Sequence, residues 1–127
     1  MWINLTNGIA NCTFSNTGSK VAAVGMDEDH TIVIYDIAKG IEHKKNALSK
    51  NDGLIAKGKV TRREIFDIRF VPGDWQLVVA CMKEVNLITW KNGNLLSERT
   101  IWKDFRPEAA LCIGFIEGYT VTGMFSG

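Results

Sequence analysis

The densest group of side chains able to hold a metal or move a proton is Asp27-Glu28-Asp29-His30, directly after Met26. Three carboxylates and an imidazole in a row could ligate a divalent cation or form an acid/base pair. The spacing lacks the alternating ligands of a calcium loop, and no second acidic cluster completes a shell. The run reads better as a hairpin turn in which Asp29 accepts hydrogen bonds from backbone N–H groups. The three cysteines, Cys12, Cys81 and Cys112, form no CxxC pair, and His30 and His43 do not complete a metal set. Each cysteine lies in an apolar run, so three reduced, buried thiols of a cytosolic protein are expected. Asn51-Asp52-Gly53 and Ala56-Lys57-Gly58-Lys59 do not match a phosphate-binding Gly-x-x-x-x-Gly-Lys-Ser/Thr loop. No nucleophile, base and oxyanion set can be assembled, so no catalytic, cofactor-binding or metal residue is assigned and an enzyme is not expected.

A second constellation is basic. Residues 43–63 carry Lys44, Lys45, Lys50, Lys57, Lys59, Arg62 and Arg63 against one acid, Asp52, in a chain whose net charge is only +1. Local charge sets the local field, so this stretch is a candidate contact for an acidic protein or RNA. A solvated, mobile insertion is the competing account. No aromatic residue interleaves with the lysines, which argues against a single-stranded nucleic-acid platform. Of Trp2, Trp75, Trp90 and Trp102, Trp90 reads as a packing residue rather than part of a ligand cage.

The elements that must position these residues are strands. Apolar runs of about 5 to 7 residues, rich in Val, Ile, Thr, Phe and Tyr, recur between turn residues. Strands are predicted at 9–14, 20–26, 31–37, 55–60, 65–71, 76–82, 85–90, 95–102, 109–116 and 119–124, with a further short one conceivable at 2–5. Ser15-Asn16-Thr17-Gly18, Pro72-Gly73-Asp74 and Glu117-Gly118 mark tight turns, and Asn92-Gly93 is a strong two-residue hairpin signal. No run of helical period stands out, so no helix is predicted. No apolar stretch approaches the roughly 20 residues a membrane span requires. Met1-Trp2-Ile3-Asn4-Leu5 lacks the basic and apolar regions of a secretory leader. The sequons at Asn4 and Asn11 are then chance matches.

Three segments align on a phenylalanine and a following glycine: Cys12 to Gly18, Ile68 to Asp74, and Ile113 to Gly118. An apolar strand follows each one. In the first two copies an aromatic then closes the next strand, at Tyr35-Asp36 and Trp90-Lys91. Phe14 and Phe70 are 56 residues apart and Phe70 and Phe115 are 45 apart. The second spacing fits one four-stranded propeller blade, and the first fits a blade carrying the basic insertion.

These residues resemble WD-repeat blades. Tyr35-Asp36 stands where a Trp-Asp pair closes a blade's third strand, Trp90-Lys91 is a degenerate copy, and Asp29 matches the turn aspartate with Glu84 its counterpart. The order of Ala23 to Asp36, Glu64 to Asp74, Val85 to Trp90 and Leu111 to Gly123 is similar to the echinoderm microtubule-associated protein-like family. That resemblance implies an all-β fold, a partial WD-repeat β-propeller of about two and a half four-stranded antiparallel blades. The blades would fall at 9–63 with the basic insertion, at 64–104, and at 105–127 as a truncated third. The structural blade residues would be Phe14, Asp29, Tyr35, Asp36, Phe70, Trp90 and Phe115.

The same resemblance implies a non-enzymatic, cytoplasmic, cytoskeletal protein whose partner is tubulin or the microtubule; acidic tubulin tails, like RNA, would suit the charge of the basic stretch. A generic scaffold of a ciliary or signalling complex is the alternative. One departure from the pattern is Val60-Thr61-Arg62-Arg63, which replaces the usual Gly-His pair, so a weaker turn is expected in the second blade. Two and a half blades do not close a ring, since closed propellers hold about 4 to 8. Open blade edges are therefore expected to drive self-association or entry into a larger assembly.

Overall fold

A computed structural model of the chain describes residues 3, 5, 7–44, 53–100 and 109–125. Among the described residues there are ten strands, most joined in sequence by tight turns. β1 (Ile9–Phe14), β2 (Lys20–Gly25), β3 (Ile32–Asp36) and β4 (Leu54–Gly58) form the first antiparallel meander. β5 (Ile65–Phe70), β6 (Leu77–Cys81), β7 (Glu84–Lys91) and β8 (Asn94–Arg99) form the second. β9 (Ala110–Ile116) and β10 (Tyr119–Met124) pair as a third, two-stranded unit. β4 and β8 touch through one parallel bridge, Lys57 to Asn94, so the first two meanders read as one eight-stranded sheet. At the opposite edge β1 lies against β5, and β5 in turn lies against β9. Each unit thus presents its first strand to a common axis, and the two four-stranded units hold their fourth strands outward. This is the arrangement of successive propeller blades, and the fold is all-β and propeller-like.

The repeat is visible in the backbone. Each first strand carries one unpaired residue, Ala10, Phe66 or Leu111, and each lies four positions before the repeated phenylalanine. A bulge at the same place in three hairpins bends each inner strand alike. The first two hairpins also share their length. Ser15 N and Val71 N bond Lys20 O and Gln76 O, and Gly18 and Asp74 occupy the same left-handed position at φ 73° and 60°. Aspartate tolerates that conformation better than most residues with a Cβ. The Asn92-Gly93 and Glu117-Gly118 turns have positive φ at both residues, the type I′ geometry that matches strand twist.

The core lies between blades. Ala22, Val24, Ile32 and Ile34 of the first meet Ile68, Phe70, Leu77, Val79, Cys81 and Ile88 of the second, and all are buried. Trp90 packs edge-on against Phe70 with ring centroids 6.3 Å apart. Burying one such isoleucine or leucine stabilises the fold by about 1.5–3 kcal/mol. A smaller cluster, Val78, Ala80, Val85, Ala110 and Ile113, joins the second blade to the third. The far side of the first blade holds Val21, Ala23, Val33 and Tyr35, with Ile3 and Leu5 packed on them.

Two expectations need correction. A helix, α1 (Ile37–Lys44), follows β3 where none was predicted. Eight residues are too few for a periodic pattern to emerge, but Asp36 supplies an N-cap by accepting Lys39 N at 2.9 Å. Gly53 lets the chain return beside it: at φ 88° a Cβ there would sit 2.8 Å from Gly40 N. Among the cysteines only Cys81 is buried, whereas Cys12 and Cys112 are free and exposed, because each points from an end blade away from the interior.

Candidate protein-interaction surface

The β2–β3 turn and the β4–β5 connection lie together on one side of the blades, which brings the acidic run onto the basic one. Asp27 accepts the backbone N–H of Thr31 at 3.1 Å and its hydroxyl at 2.8 Å. The Thr31 hydroxyl, ahead of burial's opposing effect, holds this carboxyl below its ordinary pKa. Asp29 instead accepts Lys59 Nζ at 2.7 Å and Arg62 Nε at 2.9 Å. The hydrogen bond from Lys59, then that from Arg62, lowers the Asp29 pKa, and the same bond raises that of Lys59. The turn carboxylate that binds backbone is therefore Asp27 and not Asp29. Spacing alone could not separate two aspartates one residue apart, since the choice depends on what faces each.

Glu84 sits buried at the head of β7 and accepts Thr61 Oγ1 at 2.6 Å, with Arg99 and Arg63 at 3.4 and 3.7 Å. The Val60-Thr61-Arg62-Arg63 segment is thus tied down by Thr61 to Glu84 and by Arg62 to Asp29. These bonds stand where the missing Gly-His pair led to a weaker turn being expected. Cys81 lies beside this buried carboxylate. Its thiol is pushed up to about 12, first by burial and then by the Glu84 charge, so it stays protonated and inert.

Of the seven cations in the basic stretch, Lys59, Arg62 and Arg63 are engaged by the protein's own carboxylates. Lys57 is exposed on β4 and lines, with Asp27, Asp29 and Lys59, a cleft of about 410 Å³. Lys44 ends α1, although its side chain is outside the description, and Lys45 and Lys50 lie outside the described residues. Of the expected blade residues, Phe70 and Tyr35 are buried, Trp90 and Phe115 are partly buried, Asp36 caps α1, and Phe14 is exposed. Trp75 is exposed on the β5–β6 turn, and Trp2 and Trp102 lie outside the described residues. Among those described, no group of His, Cys, Asp and Glu is placed to hold a metal ion, and no helix is long and apolar enough to cross a membrane.

Two side chains that sequence reasoning passed over fasten the blades to one another. Asp74 reaches from the second blade's first turn to the first blade's. It accepts Asn16 N at 2.7 Å, Asn16 Nδ2 at 2.9 Å, Thr17 N at 2.9 Å and Thr17 Oγ1 at 2.7 Å. Burial pushes the Asp74 carboxyl up, but the hydrogen bonds from Thr17 and Asn16 outweigh it and hold the pKa at about 2. Asp67 does a lesser version of this, accepting Ile113 N of the third blade at 3.0 Å. The only sequence signal for Asp74 is its place after Pro72-Gly73, which marks a turn but not a partner 57 residues away.

No family model matches the chain. Among curated proteins, it is 30% identical over 117 residues to echinoderm microtubule-associated protein-like 1 of Rattus norvegicus and 31% identical to that of Homo sapiens. It is 27% identical over 116 residues to echinoderm microtubule-associated protein-like 2 of Rattus norvegicus. Each match takes in 89% of this chain, which spans only 13% of the first two proteins and 16% of the third. The chain is thus a distant relative of a short stretch of these WD-repeat proteins.

Proposed function

We propose that this distant relative of the microtubule-associated proteins is a non-enzymatic, protein-binding propeller segment of the cytoplasmic cytoskeleton whose partner is the microtubule. The observation that carries the reading is the similarity along 89% of the chain to proteins named for microtubule association. The charge distribution supports it. Lys57 of β4, together with Lys44, Lys45 and Lys50 of the sequence between β3 and β4, forms the contact for an acidic surface such as the tubulin tails. Lys59, Arg62 and Arg63 serve the β4–β5 connection instead, because Asp29 and Glu84 engage them.

Cosedimentation with stabilised microtubules tests this. Binding should fall as salt rises, and changing Lys44, Lys45, Lys50 and Lys57 to Gln should weaken it. Asp29→Asn, which releases Lys59 and Arg62, should strengthen it at low salt. A chain that fails to pellet at low salt would overturn the microtubule reading and leave a scaffold with another protein partner.

A further inference from the structure

We infer that Thr61 is a phosphorylation site for a serine/threonine kinase that selects basic surroundings, and that its phosphate exchanges one latch of the β4–β5 connection for another. This does not rest on the microtubule reading. Thr61 lies between β4 and β5, outside any strand, and Lys57, Lys59, Arg62, Arg63 and Glu64 are exposed around it. Four cations thus fall within four positions of one hydroxyl, against the single acid Glu64. No other serine or threonine of the chain has more than two. Kinases choose their substrates by such charge patterns. A segment outside the sheet can also be drawn into a kinase cleft without breaking a strand.

The hydroxyl has a second distinction, its partner. It donates to Glu84 Oε1 at 2.6 Å and accepts Arg63 N at 3.0 Å. The Glu84 side chain is 9% exposed, and its other oxygen faces Arg99 and Arg63 at 3.4 and 3.7 Å. In the unmodified chain the hydroxyl therefore latches the connection to the head of β7. A phosphoryl group removes the donated proton and brings close to two negative charges against a buried carboxylate. Like charges at that separation, partly shielded from water, repel strongly. The first latch cannot survive the modification.

The connection itself supplies the second. Arg62 and Arg63 follow Thr61 directly, with side chains 84% and 42% exposed. Guanidinium forks match phosphate oxygens, and each bond so made is charge-assisted. The phosphate turns outward and draws Arg62 from Asp29 and Arg63 from Glu84. Lys59 stays with Asp29, and Arg99 stays with Glu84, so neither carboxylate loses its last counter-charge. The transfer balances. The bond from the γ-phosphorus of ATP to its bridging oxygen breaks, and ADP leaves with that electron pair. Thr61 Oγ1 takes the phosphoryl group, and its proton passes to the kinase's base.

The folded 127-residue chain, incubated with ATP and the catalytic domain of protein kinase C, reads this out beside a synthetic peptide of residues 55–67. Mass spectrometry should place the phosphate on Thr61 in both. Changing Arg62 and Arg63 to Gln together should slow its entry into the folded chain roughly tenfold or more, with native circular dichroism. Phosphorus NMR then reports the new latch. An unpaired phosphothreonine gives up its second proton near a pKa of about 6. Facing two guanidinium groups it should do so at lower pH, because cations favour the dianion. The phosphorylated double variant, made by longer incubation, should titrate back near 6. A peptide that is labelled while the folded chain is not would show the hydroxyl locked behind Glu84 and overturn the proposal. So would phosphate entering other hydroxyls in place of Thr61, or a titration that losing both arginines does not move.

Discussion

The first blade contact and the second are built on one backbone plan and differ in how fully it is filled. Between the first two blades, ten buried side chains interdigitate and Asp74 gathers four hydrogen bonds from Asn16 and Thr17. Between the second and third, five smaller or peripheral side chains meet and Asp67 accepts one backbone N–H. The strand bulges are the same, so backbone geometry does not set the difference. It comes from what stands at equivalent positions, Leu77 and Val79 against Thr120 and Thr122, from Ile88 of β7, which has no counterpart among the described strands of the third unit, and from a turn long enough to carry Asp74 against the two-residue Glu117-Gly118 turn. A repeat fold can thus hold one register while letting the strength of successive contacts vary.

The largest effect should come from removing a side chain of the first contact. Ile88→Ala should cost about 2–5 kcal/mol, because the surrounding sheets cannot close the cavity. Ile113→Ala in the second contact should fall at or below about 2 kcal/mol, since its site lies near the surface and can relax. Urea melts of the two variants measure both, and equal losses would erase the distinction. The aspartates come next. Asp74→Ala leaves the backbone N–H groups of Asn16 and Thr17 without their acceptor and should cost about 1–3 kcal/mol, while Asp67→Ala, losing one bond across the second contact, should cost about 1 kcal/mol. Glu84→Gln should leave Thr61 a partner and lower the melting point less than Glu84→Ala.

Acid titration sharpens the same difference. The Asp74 pKa is depressed from 3.8 to about 2, so its stabilising effect is full above 3.8 and is lost as pH falls toward 2. The wild-type melting temperature should therefore fall more steeply across that window than that of Asp74→Asn, which has no carboxylate there to protonate. Identical slopes would mean that the carboxylate does not fasten the two turns. The smallest effect belongs to Asp29→Asn. Its carboxylate and the cations of Lys59 and Arg62 lie at the surface, so the melting point should barely move even though binding to an acidic partner responds.

All ten strands and the Asn92-Gly93 hairpin were legible in the sequence, because short β-branched runs between turn residues have few other ways to bury themselves. The repeated phenylalanines also announced the blades. What escaped depends on partners remote in sequence or on elements too short to be periodic. α1 shows only its cap, Asp36. Asp29 and Asp27 exchange roles because Lys59 and Arg62 arrive from the β4–β5 connection. The basic stretch looked like one patch of seven cations, yet three of them are engaged by Asp29 and Glu84. Phe14 matches Phe70 in sequence, and only the neighbouring blade makes one buried and the other exposed.

Native-state hydrogen exchange on the wild-type chain tests the central claim most directly. Exchange resolves the opening free energy of each cooperative unit. Amides of β2, β3, β6 and β7 should share one high opening free energy, set by the densely filled first contact, and those of β9 and β10 should open at a distinctly lower one. Protection of β9 and β10 equal to that of β6 would contradict an unequal pair of contacts. Fast exchange in β6 would contradict the blade packing itself.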